Sequence, residues 1–251
     1  MPTKAMTPLQ QRMVEDMQLR GLSARTQEAY ARAVWQLAQH YHRSPEQLSD
    51  EDLRQYFLYL ANEKKIARPT ATIALCGIKF FYEQTLKQPW PTLRFVRPAR
   101  EWKLPVVLSR EEVRRILAEV RIPVYRACLT TIYACGLRLL EGTRLQVPDV
   151  DSARMLLHIH GKSKKDRYVP LPEPTLRLLR TFWRTHRSPV WLFPAPTRHG
   201  LAHSLAHDGG PVTRSSLQSA FRRAVQRTGI AKRAHVHTLR HSYATHLLEA
   251  G

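Results

Sequence analysis

The chain has 251 residues, enough for two compact domains or one large one, and a 43% hydrophobic content that excludes a globally disordered polymer. Forty Lys and Arg stand against 20 Asp and Glu, a net charge of +20, which points to a polyanionic partner and to nucleic acid before a membrane surface. No apolar run approaches the roughly 20 residues of a membrane span, and the opening MPTKAMTPLQQRMVED lacks the apolar core of a secretory signal. Cys76, Cys128 and Cys135 sit inside helical apolar patterns without paired spacing. They predict buried thiols in a reducing cytoplasm, with neither a disulfide nor a cysteine-based zinc site.

Residues 1–88 read as a helical domain of four helices. The first starts at Thr7-Pro8, carries Met13, Val14 and Met17, and stops at Gly21. Ser23 caps the second, where Ala29, Tyr30, Ala33, Val34, Leu37 and Tyr41 recur at helical spacing until Ser44-Pro45. Ser49 with Asp52 opens the third, with Leu53, Tyr56, Phe57 and Leu60 on one stripe. The fourth runs from about Thr70 and turns Ile73, Leu75, Ile78, Phe81, Tyr82 and Leu86 inward. Arg20, Arg25 and Arg32 gather near one corner, with Lys64, Lys65 and Arg68 on a later connection. The plain reading of such a cluster is a solvated charged face, and the functional one is a contact with a phosphate backbone.

Between residues 89 and 108 the periodicity fails. Pro89, Pro91, Pro98 and Pro105 alternate with Arg94, Arg97, Arg100 and Lys103, the pattern of an extended linker. A second domain, 109–251, begins with a capping box at Ser109 and Glu112. Pro123 starts a helix that ends at Gly136, and another follows from about Leu139 to Leu145. The period then changes. Residues 154–160 and 166–171 predict two strands around the basic turn Gly161-Lys162-Ser163-Lys164-Lys165, with His158 and His160 on one polar face. Helices return over Glu173 to about Arg187 and Ser215 to Thr228, with a long irregular stretch from Ser188 to Pro211 between them. The basic excess is uneven, +6 up to Lys103 and +14 beyond it.

Chemistry concentrates in three places. In CGLRLLEGTRL, Arg138 follows a glycine helix break and Glu141 lies one turn on, placed to orient its guanidinium. Lys162 occupies the basic turn. In HVHTLRHSYATHLLEAG, His237 stands three residues before Arg240 at a helix start. An arginine offers two fixed hydrogen bonds to a phosphate, and an imidazole moves a proton near neutral pH. His237 and His241 have zinc-ligand spacing, yet no third ligand accompanies them, so no metal site is expected and His241 reads as a packed or capping residue.

In this order these elements resemble the tyrosine recombinase (phage integrase) family. GLRLLEGTRLQVPDVD is similar to its first arginine motif, HIHGKSKKDRYVPLP to its lysine hairpin and HTLRHSYATHLLEAG to its second motif, while RGLSARTQEAYARAVWQLAQHY resembles its N-terminal helical domain. The resemblance implies a mainly α fold, with a SAM-like four-helix core-binding domain and a mixed α+β catalytic domain bearing a small antiparallel sheet. It implies strand breakage and rejoining in double-stranded DNA through a 3′-phosphotyrosine, without metal or nucleotide cofactor, by a homo-oligomer, a tetramer on paired sites. Arg138 and Arg240 would clamp the non-bridging oxygens, Lys162 would protonate the leaving 5′ oxygen, and His237 would shuttle a proton or donate to the phosphate. Lys164, Lys165 and Arg167 would contact the backbone, as would the six basic residues of the first domain.

The family pattern continues to a Leu-Gly-His motif and then the nucleophilic tyrosine, and neither follows Arg240 here. Tyr243 reads as a packing residue and Tyr168 lies in a strand. The sequence therefore predicts a C-terminally incomplete catalytic domain that binds DNA and does not cleave it alone. The alternatives are a regulatory DNA-binding protein derived from a recombinase, and a type IB topoisomerase-like enzyme.

Overall fold

The computed structural model describes residues 7–90, 104–161, 165–196 and 210–250. The chain divides into two compact units, Met1–Glu101 and Trp102–Gly251.

In the first unit, helices α1 (Pro8–Leu19), α2 (Ala24–Tyr41), α3 (Asp50–Asn62) and α4 (Arg68–Phe80) enclose a core of their own. Their starts follow from short polar side chains. The hydroxyls of Thr7, Ser23 and Ser49 accept N–H groups that the first turns leave free, and at Thr7 and Ser49 the side chain three residues on closes a capping box. Met13, Met17, Leu37, Leu53 and Ile78 are almost completely buried. The inner face of α4 differs from the expected one. Ile73 is 44% exposed, and Ala74 and Gly77 join the expected Ile78 on the inward face. Small residues are needed there because α2 comes very close. A Cβ on Gly77 would stand 2.9 Å from the Tyr30 Cα and 3.3 Å from the Ala33 Cβ.

The second unit is built around α6 (Pro123–Ala134), whose Val124, Ala127, Cys128, Leu129 and Ile132 are all buried. Against it pack α5 (Arg110–Ala118), the short α7 (Leu139–Thr143), α8 (Glu173–Arg184), α9 (Arg214–Thr228) and α10 (Val236–Leu248). Ser109 and Glu112 form the expected capping box on α5. The sheet has three antiparallel strands: β1 (Val150–Asp151), β2 (Leu156–Ile159) and β3 (Arg167–Pro170), in the order β1-β2-β3. The two longer ones lie inside the predicted ranges, whereas β1, two residues long, is too short to produce a visible alternation. Leu157 and Ile159 of β2 enter the core and His158 faces out, as a period of two requires. Cys128 and Cys135 are buried thiols, while Cys76 in the first unit is only half-buried. The fold is mainly α with one small antiparallel sheet. Among the described residues, no helix is long and apolar enough to cross a membrane.

Candidate functional site

The turn between α6 and α7 organises the site. Gly136 takes the left-handed conformation, φ +60°, just past the end of α6. Its N–H donates to the Tyr133 carbonyl at 3.3 Å, and the Leu137 N–H donates to the Ile132 carbonyl at 2.9 Å, a Schellman closure. The chain then restarts at once as α7, with Arg138 as its N-cap residue.

Glu141 completes that restart. One carboxylate oxygen accepts the Arg138 backbone N–H at 2.7 Å and the other accepts Arg138 Nη1 at 2.9 Å. The same carboxylate also receives both arms of Arg167, at 2.9 and 2.8 Å. Arg167 opens β3, half-buried, and its fork closes on Glu141, a different partner from the phosphate backbone expected of it. Glu141 is thus a buried anion between two guanidiniums, with its side chain 8% exposed against 60% for Arg138. Burial pushes its carboxyl up, but the hydrogen bonds from Arg167 and from Arg138 outweigh that and hold it at about 2. Arg138 is left oriented and open to solvent.

The second arginine comes from α10. His235 caps this helix, its backbone N–H donating to the Thr238 hydroxyl at 3.1 Å. Buried Ser242 ties the helix down, donating to the Thr238 carbonyl at 2.8 Å and accepting the Leu108 N–H at 2.9 Å. One turn in, Arg240 Nη1 donates to the carbonyl of Gly136, two residues before Arg138. Both guanidiniums therefore take their position from one turn. Burial, and next the charge of Arg138, hold Arg240 below its ordinary pKa. Two like charges near enough to perturb one another, with one buried carboxylate beside Arg138, are an arrangement able to take up an anion.

His237 joins them from the first turn of α10. Its ring meets that of His241 edge to face, with centroids 5.0 Å apart. Partial desolvation first, and then His241, Arg240, His235 and Arg138, lower its pKa. The lowered pKa favours the neutral imidazole, which can donate one proton or accept one. Of the sequence-predicted residues, Arg138, Glu141, His237 and Arg240 come together. Lys162 and Lys164 lie outside the described residues. Lys165 and Arg167 line a groove of about 830 Å³ that also presents Arg138, Arg144, His160 and Trp191.

In the first unit, Arg25 and Arg32 are exposed on α2, without an ion-pair partner among the described residues. Arg20 donates to Gln84 and lies 6.0 Å from the centre of the Phe80 ring. Lys64 stands 5.6 Å from the centre of the Tyr59 ring. Lys65 is exposed with φ +45°, and Arg68 begins α4 with a buried Nη1 that has no hydrogen-bond partner.

The chain's nine tyrosines all lie among the described residues. Tyr243, nearest the arginines in sequence, has its ring packed on Gly136, where a Cβ would overlap it. The Tyr133 hydroxyl pairs with His246 Nδ1 at 2.9 Å, and Tyr168 stacks on His158 with centroids 5.0 Å apart. His246 is buried, and its pairing with Tyr133 gives no signal in the sequence because the partners are 113 residues apart.

The profile described as "Phage integrase family" matches residues 106–251, and that of "Phage integrase, N-terminal SAM-like domain" matches residues 9–92. The chain y4qK of Sinorhizobium fredii, described as an integrase/recombinase, is 42% identical over 98% of this chain and 77% of its own length. An "Integrase/recombinase" of Escherichia coli is 34% identical over 91% of this chain and 78% of its own. The same fold occurs in a lambda integrase dimer bound to a COC′ core site, with TM-score 0.73 at 13% identity, covering 94% of this chain and 87% of that one. It occurs again in XerH site-specific recombinase bound to difH substrate, with TM-score 0.67 at 18% identity, covering 96% and 73%.

Proposed function

The chain belongs to the phage integrase family of tyrosine recombinases, and from that premise we propose that its 251 residues grip a DNA phosphate between Arg138 and Arg240 at a recombination site. The carrying observation is the common anchorage of those arginines, one at the start of α7 and the other on the Gly136 carbonyl. Planar guanidiniums held this way need no reorganisation when negative charge builds on the non-bridging oxygens, which is where fixed cations stabilise a phosphoryl transition state in the absence of a metal. Neutral His237 donates to the phosphate or carries its proton. Lys162 protonates the leaving 5′ oxygen, a step worth ~10²–10⁴ in rate. Arg25, Arg32, Lys64 and Lys65 of the N-terminal helical domain, with Lys164 and Lys165 of the hairpin, follow the backbone. More than one copy assembles on the DNA, and the protein works in the cytoplasm where that DNA is.

We further propose that strand cleavage needs a tyrosine that is none of the nine present. The Tyr133 hydroxyl is paired with His246, the Tyr243 ring is packed on Gly136, Tyr168 stacks on His158, and Tyr125 is 8% exposed inside the core. Of the five in the N-terminal unit, Tyr56 and Tyr82 are buried, the Tyr41 hydroxyl donates to the Asp52 carbonyl at 2.6 Å, and the rings of Tyr30 and Tyr59 pack against Phe80 and His40. The 251-residue chain accordingly binds and polarises without becoming covalently joined. The test mixes it with a labelled duplex and with a nicked suicide duplex. Salt-steep binding is expected, weakened strongly by joint Arg138→Ala and Arg240→Ala, with no covalent adduct. An adduct, or binding indifferent to the double substitution, would overturn the reading.

A further inference from the structure

A second cluster of donor atoms lies on the wall of the groove, and the phosphate site makes no use of it. His158 and His160 are two apart at the end of β2, so their rings leave the same face, with centroids 4.5 Å apart. His160 Nε2 lies 3.0 Å from Oδ1 of Asp149, and its Nδ1 lies 3.3 Å from Oδ2 of Asp166. His158 Nε2 is 3.4 Å from that same Asp166 oxygen. Asp149 is only 5% exposed, and its Oδ2 accepts the Gln146 N–H at 2.7 Å, which leaves Oδ1 fixed towards the histidines. One donor atom from each of Asp149, His158 and His160 falls within 4.8 Å of the other two. Bonds of about 2.0–2.2 Å to a first-row ion put its ligand atoms about 3–4 Å apart, close to this spacing.

We propose that Asp149, His158 and His160 bind one divalent transition-metal ion of the Zn²⁺, Co²⁺ or Ni²⁺ class. Two imidazoles and one carboxylate favour these ions over Mg²⁺ and Ca²⁺, which prefer oxygen alone. Asp166 takes the supporting position, accepting the second ring N–H of His160 and so fixing which nitrogen faces the ion. The ligands come from separate parts of the chain: the 3-10 helix Val147–Asp149, the end of β2 and, through Asp166, the residue before β3. Binding would clip these together at the base of the hairpin. The role is structural, independent of strand-transfer chemistry and of the phosphate reading. His-x-His on a strand is visible in the sequence, but Asp149 and Asp166 as its companions are not.

The test uses the full chain, stripped of metal and carrying no histidine tag, titrated with Co²⁺ by visible absorption and calorimetry. One equivalent should bind, be displaced by Zn²⁺, and raise the thermal midpoint. Joint His158→Ala and His160→Ala should abolish binding. Asp166→Asn, at a more exposed position, should weaken it about 10–100-fold without unfolding the chain. Joint His237→Ala and His241→Ala removes the other closely spaced histidine pair and should leave binding unchanged. Circular dichroism of each metal-free variant checks that it is folded. No binding by the native chain, binding that survives loss of His158 and His160, or binding lost with His237 and His241 would each overturn the proposal.

Discussion

The ring of Tyr243 occupies the space that a Cβ on residue 136 would need, and Gly136 also has a left-handed φ of +60°. Two independent constraints thus demand glycine at the residue whose carbonyl anchors Arg240. Gly136→Ala should cost at least about 1–2 kcal/mol from the backbone alone, more from the displaced ring, and lower the midpoint of the C-terminal unit by about 2–4 °C per kcal/mol. Calorimetry measures this. An unchanged midpoint would mean that the turn is not held as described.

Glu141 carries two guanidiniums, so its removal should be costlier than loss of an ordinary surface pair. Arg167 is only partly buried, which puts the cost of Glu141→Gln between the about 1 kcal/mol of exposed pairs and the about 3–5 kcal/mol of fully buried ones. Its pH dependence has a definite sign. The folded carboxyl sits at about 2, below the roughly 4.3 of an unfolded glutamate, so the stabilisation is complete above about 4.3 and disappears as pH falls towards about 2. Urea midpoints at pH 5 and pH 3 should therefore converge between native and variant chains at the lower pH. A gap that stays constant rules the linkage out.

His237 titrates the other way from a histidine with an acidic partner. Its folded pKa is depressed, so its contribution to stability is present above about 6.5 and is lost as pH falls through the folded value. A docked phosphate offsets the neighbouring cations and raises that pKa, so DNA binding should strengthen between pH 7.5 and pH 5.5. Subtracting the same measurement on His237→Ala isolates this residue from the other histidines. Identical pH profiles for the two chains would remove His237 from the phosphate site.

The exposed arginines of α2 make a separate prediction about the N-terminal unit. If Arg25 and Arg32 each neutralise one phosphate, the double Arg→Ala chain should show a log–log salt slope shallower by about 1.8, at about 0.9 per contact. Fluorescence anisotropy on one duplex across a salt series reads the slope directly. An unchanged slope would return both residues to the plain role of a solvated face.

Local order was legible before any coordinates. Helical period, the hydroxyl caps at Thr7, Ser23, Ser49 and Ser109, and the separate pairs Arg138–Glu141 and His237–Arg240 each depend on residues within a turn or two of each other, so they could be read from the sequence alone, as could the family and the fold class. What only the tertiary structure decided is who meets whom. Arg167 reaches Glu141 across 26 residues, and Arg240 reaches Gly136 across 104. Asp149 finds His160 across a strand turn. Ile73 stands 44% exposed, and the close approach of α2 to Gly77 gave no signal in the sequence. Periodicity tells which face of an element is apolar, but a buried carboxylate chooses among many arginines by distance and desolvation, and those exist only once the chain has packed.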